Sequence, residues 1–172
     1  MKTAIPFLVL GSLMLATPAL AHITLAETDA QAGRSFRGIL VVGHGCDGAA
    51  TTAVRVQMPE GFYNVKPMPK AGWELTTTIG PYDQPFENHG TQLTEGVREI
   101  TWSGGTLLDA QFDEFHFRGS FGGDLEAGPV YFPVLQQCGD KEDAWIDTSG
   151  DEDAEFPAPA ANVQPASGGH HH

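Results

Sequence analysis

The chain has 172 residues, with 22 acidic against 9 basic side chains and a formal charge of −13. So acidic a chain repels phosphates, which excludes nucleic acid as a partner. The charge reads as serving solubility, with attraction of cations as the alternative.

Residues 1–21 read as a secretory signal peptide. Lys2 gives the positive start, Ala4 to Ala16 form an apolar stretch, and Ala19-Leu20-Ala21 is a small-residue cleavage site. The segment is too short for a membrane span, and no later run approaches one, so stable membrane insertion is not expected. Cleavage between Ala21 and His22 is predicted, with secretion across the inner membrane into the periplasm. It removes Lys2 and no acid, which makes the mature chain one unit more acidic still. Residues 22–148 have a length that suits one domain with a real core.

Cleavage there makes His22 the first residue of the mature protein. Such a residue offers two metal donors, its α-amino nitrogen and its imidazole Nδ1, so the second bond orders little extra chain. The amine has an ordinary pKa of about 7.7–8, and a metal displaces its proton near neutral pH. Nitrogen donors in tetragonal geometry suit Cu(II); Zn(II) prefers a tetrahedral set.

Beyond His22, short β-branched and aromatic runs recur between Gly, Pro, Asn and Asp clusters. Strands are predicted at 22–27, 36–43, 52–58, 73–79, 97–102, 112–118, 130–135 and 144–147. In 52–58, Val54, Val56 and Met58 share one face, and Arg55 and Gln57 the other. Turns are predicted at PEG (59–61), GPYD (80–83), NHGT (88–91) and SGG (103–105). Pro133 inside an apolar run marks an edge strand or a bulge. With no amphipathic helix between these runs, the pattern predicts an all-β chain, an antiparallel β-sandwich.

Cys46 and Cys138 are the two cysteines. In an oxidising compartment such a pair forms a disulfide, and closing a loop of about 90 residues contributes roughly 4–5 kcal/mol. The rival reading is a thiolate metal pair. From about Ser149 the chain turns rich in acids, Pro, Ala and Gly. Residues 149–172 are therefore predicted to be a disordered tail. Its closing His170–His172 read as a metal-collecting end rather than the trace of an expression tag.

Several motifs occur in one order. AHITL at 21–25 is followed by Gly33 and by GHGCDGAATTAVRVQMPEG at 43–61. VKPMPKAGWEL at 65–75, EITWSGG at 99–105 and FDEFHFRG at 112–119 come next, and VYFPVLQQC at 130–138 precedes Trp145. Together these resemble the YcnI-like family of exported bacterial copper-binding proteins, over residues 22 to about 145. The resemblance implies an immunoglobulin- or fibronectin-III-like sandwich that binds Cu(II) at the mature N-terminus and serves copper trafficking or homeostasis beside other periplasmic copper-handling proteins. It places His22 as the metal ligand and Trp145 beside the metal. In the family a Glu shortly after the glycine matching Gly33 also binds copper; here that place falls on Phe36, with Arg37 next.

The remaining ligands have to come from elsewhere. His44 and Asp47 flank Cys46 in one Gly-rich turn, where a disulfide would hold them, although Asp47-Gly48 is also a natural turn. His116 shares a strand face with Glu114, a pair that reads as solvated surface, and His89 reads as a turn residue. Trp145 is either core or an apolar wall limiting exchange at the metal. Met58 and Met68 raise a Cu(I) alternative, but Met58 lies on the apolar face. The sequence thus reads as a non-catalytic Cu(II) chaperone. The competing readings are an oxidative copper enzyme with a histidine-brace-like site and a metal-free partner-binding sandwich. A serine hydrolase lacks its G-x-S-x-G motif, and the glycines at 117–125 lack a phosphate-loop lysine.

Overall fold

A computed structural model describes residues 22–151 and 153–166. The predicted cleavage site at Ala21 and the His170–His172 end lie outside the described residues.

Twelve strands and no helix make up the described chain: β1 (Thr24–Leu25), β2 (Asp29–Gln31), β3 (Ser35–Val42), β4 (Thr51–Gln57), β5 (Phe62–Pro67), β6 (Glu74–Asn88), β7 (Thr91–Leu107), β8 (Asp113–Phe121), β9 (Gly128–Tyr131), β10 (Val134–Cys138), β11 (Lys141–Trp145) and β12 (Ala160–Gln164). They form a four-stranded sheet in the order β1-β3-β8-β5 and a five-stranded sheet in the order β11-β10-β4-β7-β6. A three-stranded sheet, β2-β12-β9, completes the fold. Every pairing is antiparallel except that of β12 with β2.

Alternation decides which faces meet. On β4, Val54 and Val56 are fully buried, as their period-2 spacing predicts, and Ile100 and Trp102 of β7 join them. From the other sheet come Phe36, Leu40 and Val42 of β3 and Phe115, Phe117 and Phe121 of β8. Phe62 of β5 lies among rings, 4.9 Å from Phe121, 5.3 Å from Phe132 and 6.0 Å from Phe117. Gly38 is required where β3 passes under Phe117, because a Cβ there would sit 2.2 Å from the ring.

The turn at 88–91 is a two-residue hairpin turn. His89 and Gly90 both have positive φ, which matches the twist of the long β6–β7 ribbon. Two other predicted turns are corrected. GPYD lies inside β6, where the register shifts between Pro81 and Phe86, and Tyr82 is buried against Tyr63. SGG lies inside β7, where Gly104 takes a positive φ and pairing with β4 resumes at Leu107–Thr51. In both places the chain bulges and continues rather than reversing. The predicted 130–135 strand is corrected too: rather than one edge or bulged strand it is two, broken at Phe132-Pro133 into β9 and β10 of different sheets, and Phe132 is buried in the core.

The predicted tail is also corrected. Residues 160–164 are β12, the middle strand of its sheet, with Ala161 and Val163 fully buried. Its small side chains read as low complexity, yet they suit a strand laid against an already filled core. Val163→Ala is expected to cost about 2 kcal/mol, measured by urea unfolding, where a disordered tail would show no change.

Candidate metal centre

His22 enters the fold directly before β1. Ile23 and Leu25 point into the core and fix the segment that carries it. The His22 ring packs edge-on against Trp145 with centroids 5.8 Å apart. Its Nε2 is buried and has no hydrogen-bond partner among the described residues. A buried imidazole nitrogen in that state is costly, and a metal ion or a water molecule would satisfy it.

His44 reaches the same tryptophan from the turn after β3. Its ring lies 6.3 Å from Trp145, also edge-on. Three restraints hold this turn. Cys46 is disulfide-bonded to Cys138 at the end of β10, which decides against a thiolate metal pair. Cys46 and Ala49 exchange two backbone hydrogen bonds, and the Gly45 amide donates to Asp109 Oδ1 at 3.1 Å. At Gly45 any Cβ would fall 1.7 Å from the Ala49 oxygen, so this glycine is a condition of the turn.

Trp145 itself is buried at the end of β11, backed by Phe156 at 5.1 Å. Its indole Nε1 donates to Gln136 Oε1 at 3.0 Å. The Gln136 amide in turn donates to the His44 carbonyl at 2.7 Å and to Thr51 Oγ1 at 2.8 Å. Gln136 is fully buried and thus ties the tryptophan to the histidine turn. Sequence reasoning missed it, although Val134, Gln136 and Cys138 share one inward face of β10 by period 2. Gln136→Ala is expected to lower stability by about 3–4 kcal/mol, read from the urea midpoint, because the buried indole N–H and His44 carbonyl lose their partner.

Asp143 was also missed. It precedes Trp145 by two residues on β11 and is the register partner of Gln136. Burial holds its carboxyl above the ordinary carboxylate range, while interaction with His44 draws it back down and Asp47 pushes it up.

The other predicted residues separate. Asp47, at positive φ, turns outward, and its carboxylate binds Lys141 Nζ at 2.7 Å, which holds its pKa below the ordinary value. That ion pair, and not His22, is its neighbour. Phe36 is core. His116 accompanies Glu114 at 2.8 Å on the outer face of β8, and His89 sits in the hairpin turn. Met58 is buried, and Met68 is exposed on the other sheet's margin. Among the described residues no three His, Cys, Asp or Glu side chains converge on one point for a metal ion. The centre is thus two histidines on one tryptophan, with a carboxylate beside the second.

Residues 22–164 match the family described as Domain of unknown function (DUF1775). The chain belongs to the DUF1775 family. The matched span of this DUF1775 domain opens on His22 and closes on the last residue of β12, so the family unit includes the strand that the sequence read as tail. A Nocardia farcinica protein whose crystal structure reveals an immunoglobulin-like fold is similar at 22% identity, over 87% of this chain and all of that one, with a TM-score of 0.64. The DUF1775 domain therefore has an immunoglobulin-like sandwich. The seventh ScaB type I cohesin of Pseudobacteroides cellulosolvens is also similar, at 10% identity over 88% of this chain and 96% of that one, with a TM-score of 0.37. No curated protein matches.

Proposed function

We propose that this protein is an exported, non-catalytic Cu(II)-binding protein of the YcnI-like kind, which captures and hands on copper in the periplasm. The observation that carries this reading is that His22 and His44 both pack edge-on against the one indole of Trp145, at 5.8 and 6.3 Å. After cleavage at Ala21, His22 would add its own amine, so one residue would supply two nitrogens and His44 a third. That donor set suits tetragonal Cu(II). Trp145 would wall off one side and slow exchange of the ion, and Gln136 would keep wall and turn in register.

The deciding experiment is electron paramagnetic resonance of chain beginning at His22 and lacking His170–His172, loaded with one equivalent of Cu(II). A single axial signal with nitrogen couplings, lost in His22→Ala, is expected. A free-copper or heterogeneous signal would overturn the reading. The two-histidine arrangement also suits an oxidative copper enzyme; oxygen consumption by the copper-loaded protein with added reductant separates the two, and the chaperone reading expects none above free copper.

A further inference from the structure

A second feature stands on the outer face of the β1-β3-β8-β5 sheet and is independent of the copper reading. Arg37 on β3 is the register partner of Arg118 on β8, and Lys66 on β5 is the register partner of Arg118 on its other side. Three exposed cations thus form one row across three strands spaced by about 4.8 Å. They are a third of the nine Lys and Arg in a chain with 22 acids. Like charges set directly opposite one another destabilise a sheet. Arg37 is partly relieved by exposed Glu27 at 3.6 Å, but among the described residues Arg118 and Lys66 have no ion-pair partner.

Beside the row lies a groove of about 300 Å³. Arg37, Lys66 and Arg118 line one part of it, and Pro67, Met68 and Pro69 give it an apolar part. The Met68 side chain is 55% exposed, while its backbone is pinned: its amide donates to the His116 carbonyl at 2.8 Å, and its carbonyl accepts from Trp102 Nε1 at 3.0 Å. The wall is therefore preformed. A concave site of this size, lined mainly by apolar atoms with three exposed cationic side chains at its edge, suits a small molecule.

We propose that this groove binds a small organic anion, its anionic head on Arg37, Arg118 and Lys66 and its apolar body on Pro67, Met68 and Pro69. A row that weakens the sheet, with two of its three cations lacking an ion-pair partner among the described residues of so acidic a chain, has the mark of a binding site held at the expense of stability.

The test titrates phenyl phosphate into the metal-free protein and follows backbone amide shifts by NMR. Shifts confined to Arg37, Lys66, Met68 and His116 to Arg118 are expected. Arg118→Gln is expected to weaken binding about 10-fold, as loss of a charge-assisted contact does. The same variant should melt no lower than the parent, since a like-charge contact is removed; Lys66→Gln serves as a second variant should Arg118→Gln fold poorly. Inorganic phosphate, lacking the apolar body, should bind more weakly. Scattered shifts, unchanged affinity in both variants, or phosphate binding as tightly as phenyl phosphate would each overturn the proposal. So would a poly-glutamate peptide that binds the row when phenyl phosphate does not, which would point to an acidic macromolecule instead.

Discussion

Replacing His22 by alanine is expected to weaken Cu(II) binding by more than about 100-fold, because loss of an outer-shell partner alone costs a metal site 10–100-fold and here two donors of one residue are at stake. The loss should be read on the chain beginning at His22, by titration against a competing chelator. Quenching of Trp145 fluorescence offers a second readout, since this indole lies 5.8 Å from the His22 ring. Stability should barely move. The His22 ring packs edge-on against Trp145, and Ile23 and Leu25 still anchor the segment, so a shift of about 2–4 °C in melting temperature is the most expected. A chain with one extra residue before His22 keeps the imidazole but moves the amine away. It should lose most of the affinity too. Undiminished binding in both variants would sink the N-terminal chelate.

Removing the Cys46–Cys138 disulfide, by the double substitution to alanine, should lower the melting temperature by about 10–15 °C, the equivalent of roughly 4–5 kcal/mol for a loop of this length. The residues joined are 92 apart in sequence. The same change should loosen the metal centre, since the bridge holds the His44 turn onto β10, where Gln136 meets it. The double variant is therefore expected to bind Cu(II) more weakly even at temperatures where it stays folded. Stability lost with affinity intact would mean that His44 is no part of the centre.

Much of this architecture was legible in local patterns. Val54 and Val56 alternating with Arg55 and Gln57 implied a half-buried strand, and the structure buries the same two valines. Asn88-His89-Gly90-Thr91 implied a turn, and the structure makes it a two-residue hairpin turn. Cys46 and Cys138 in a chain with a signal-like start implied the bridge that forms. The strand and the turn depend on neighbours one to four residues away, and the bridge follows from there being two cysteines and an oxidising compartment, so the sequence displays all three directly.

Other parts were settled by distant contacts. Pro81 and Gly104 carry turn chemistry, but a partner strand on β7 or β4 absorbs the extra residues as bulges. Ala160–Gln164 lacks any bulky apolar residue save Val163 and becomes a strand only because β2 and β9 leave a place between them.

The candidate centre divides the same way. The sequence by itself determined the chemistry available: a histidine at a cleavage-like boundary, a second beside a cysteine, and a late tryptophan. Only the tertiary structure decided that His22 and His44 both pack on Trp145, that Asp47 turns away to Lys141, and that Gln136 and Asp143 are paired across β10 and β11 beside the His44 turn. The reason is physical. A side chain's donor atoms are a property of the residue, whereas its neighbours depend on strand register, and register is set by the whole buried face at once.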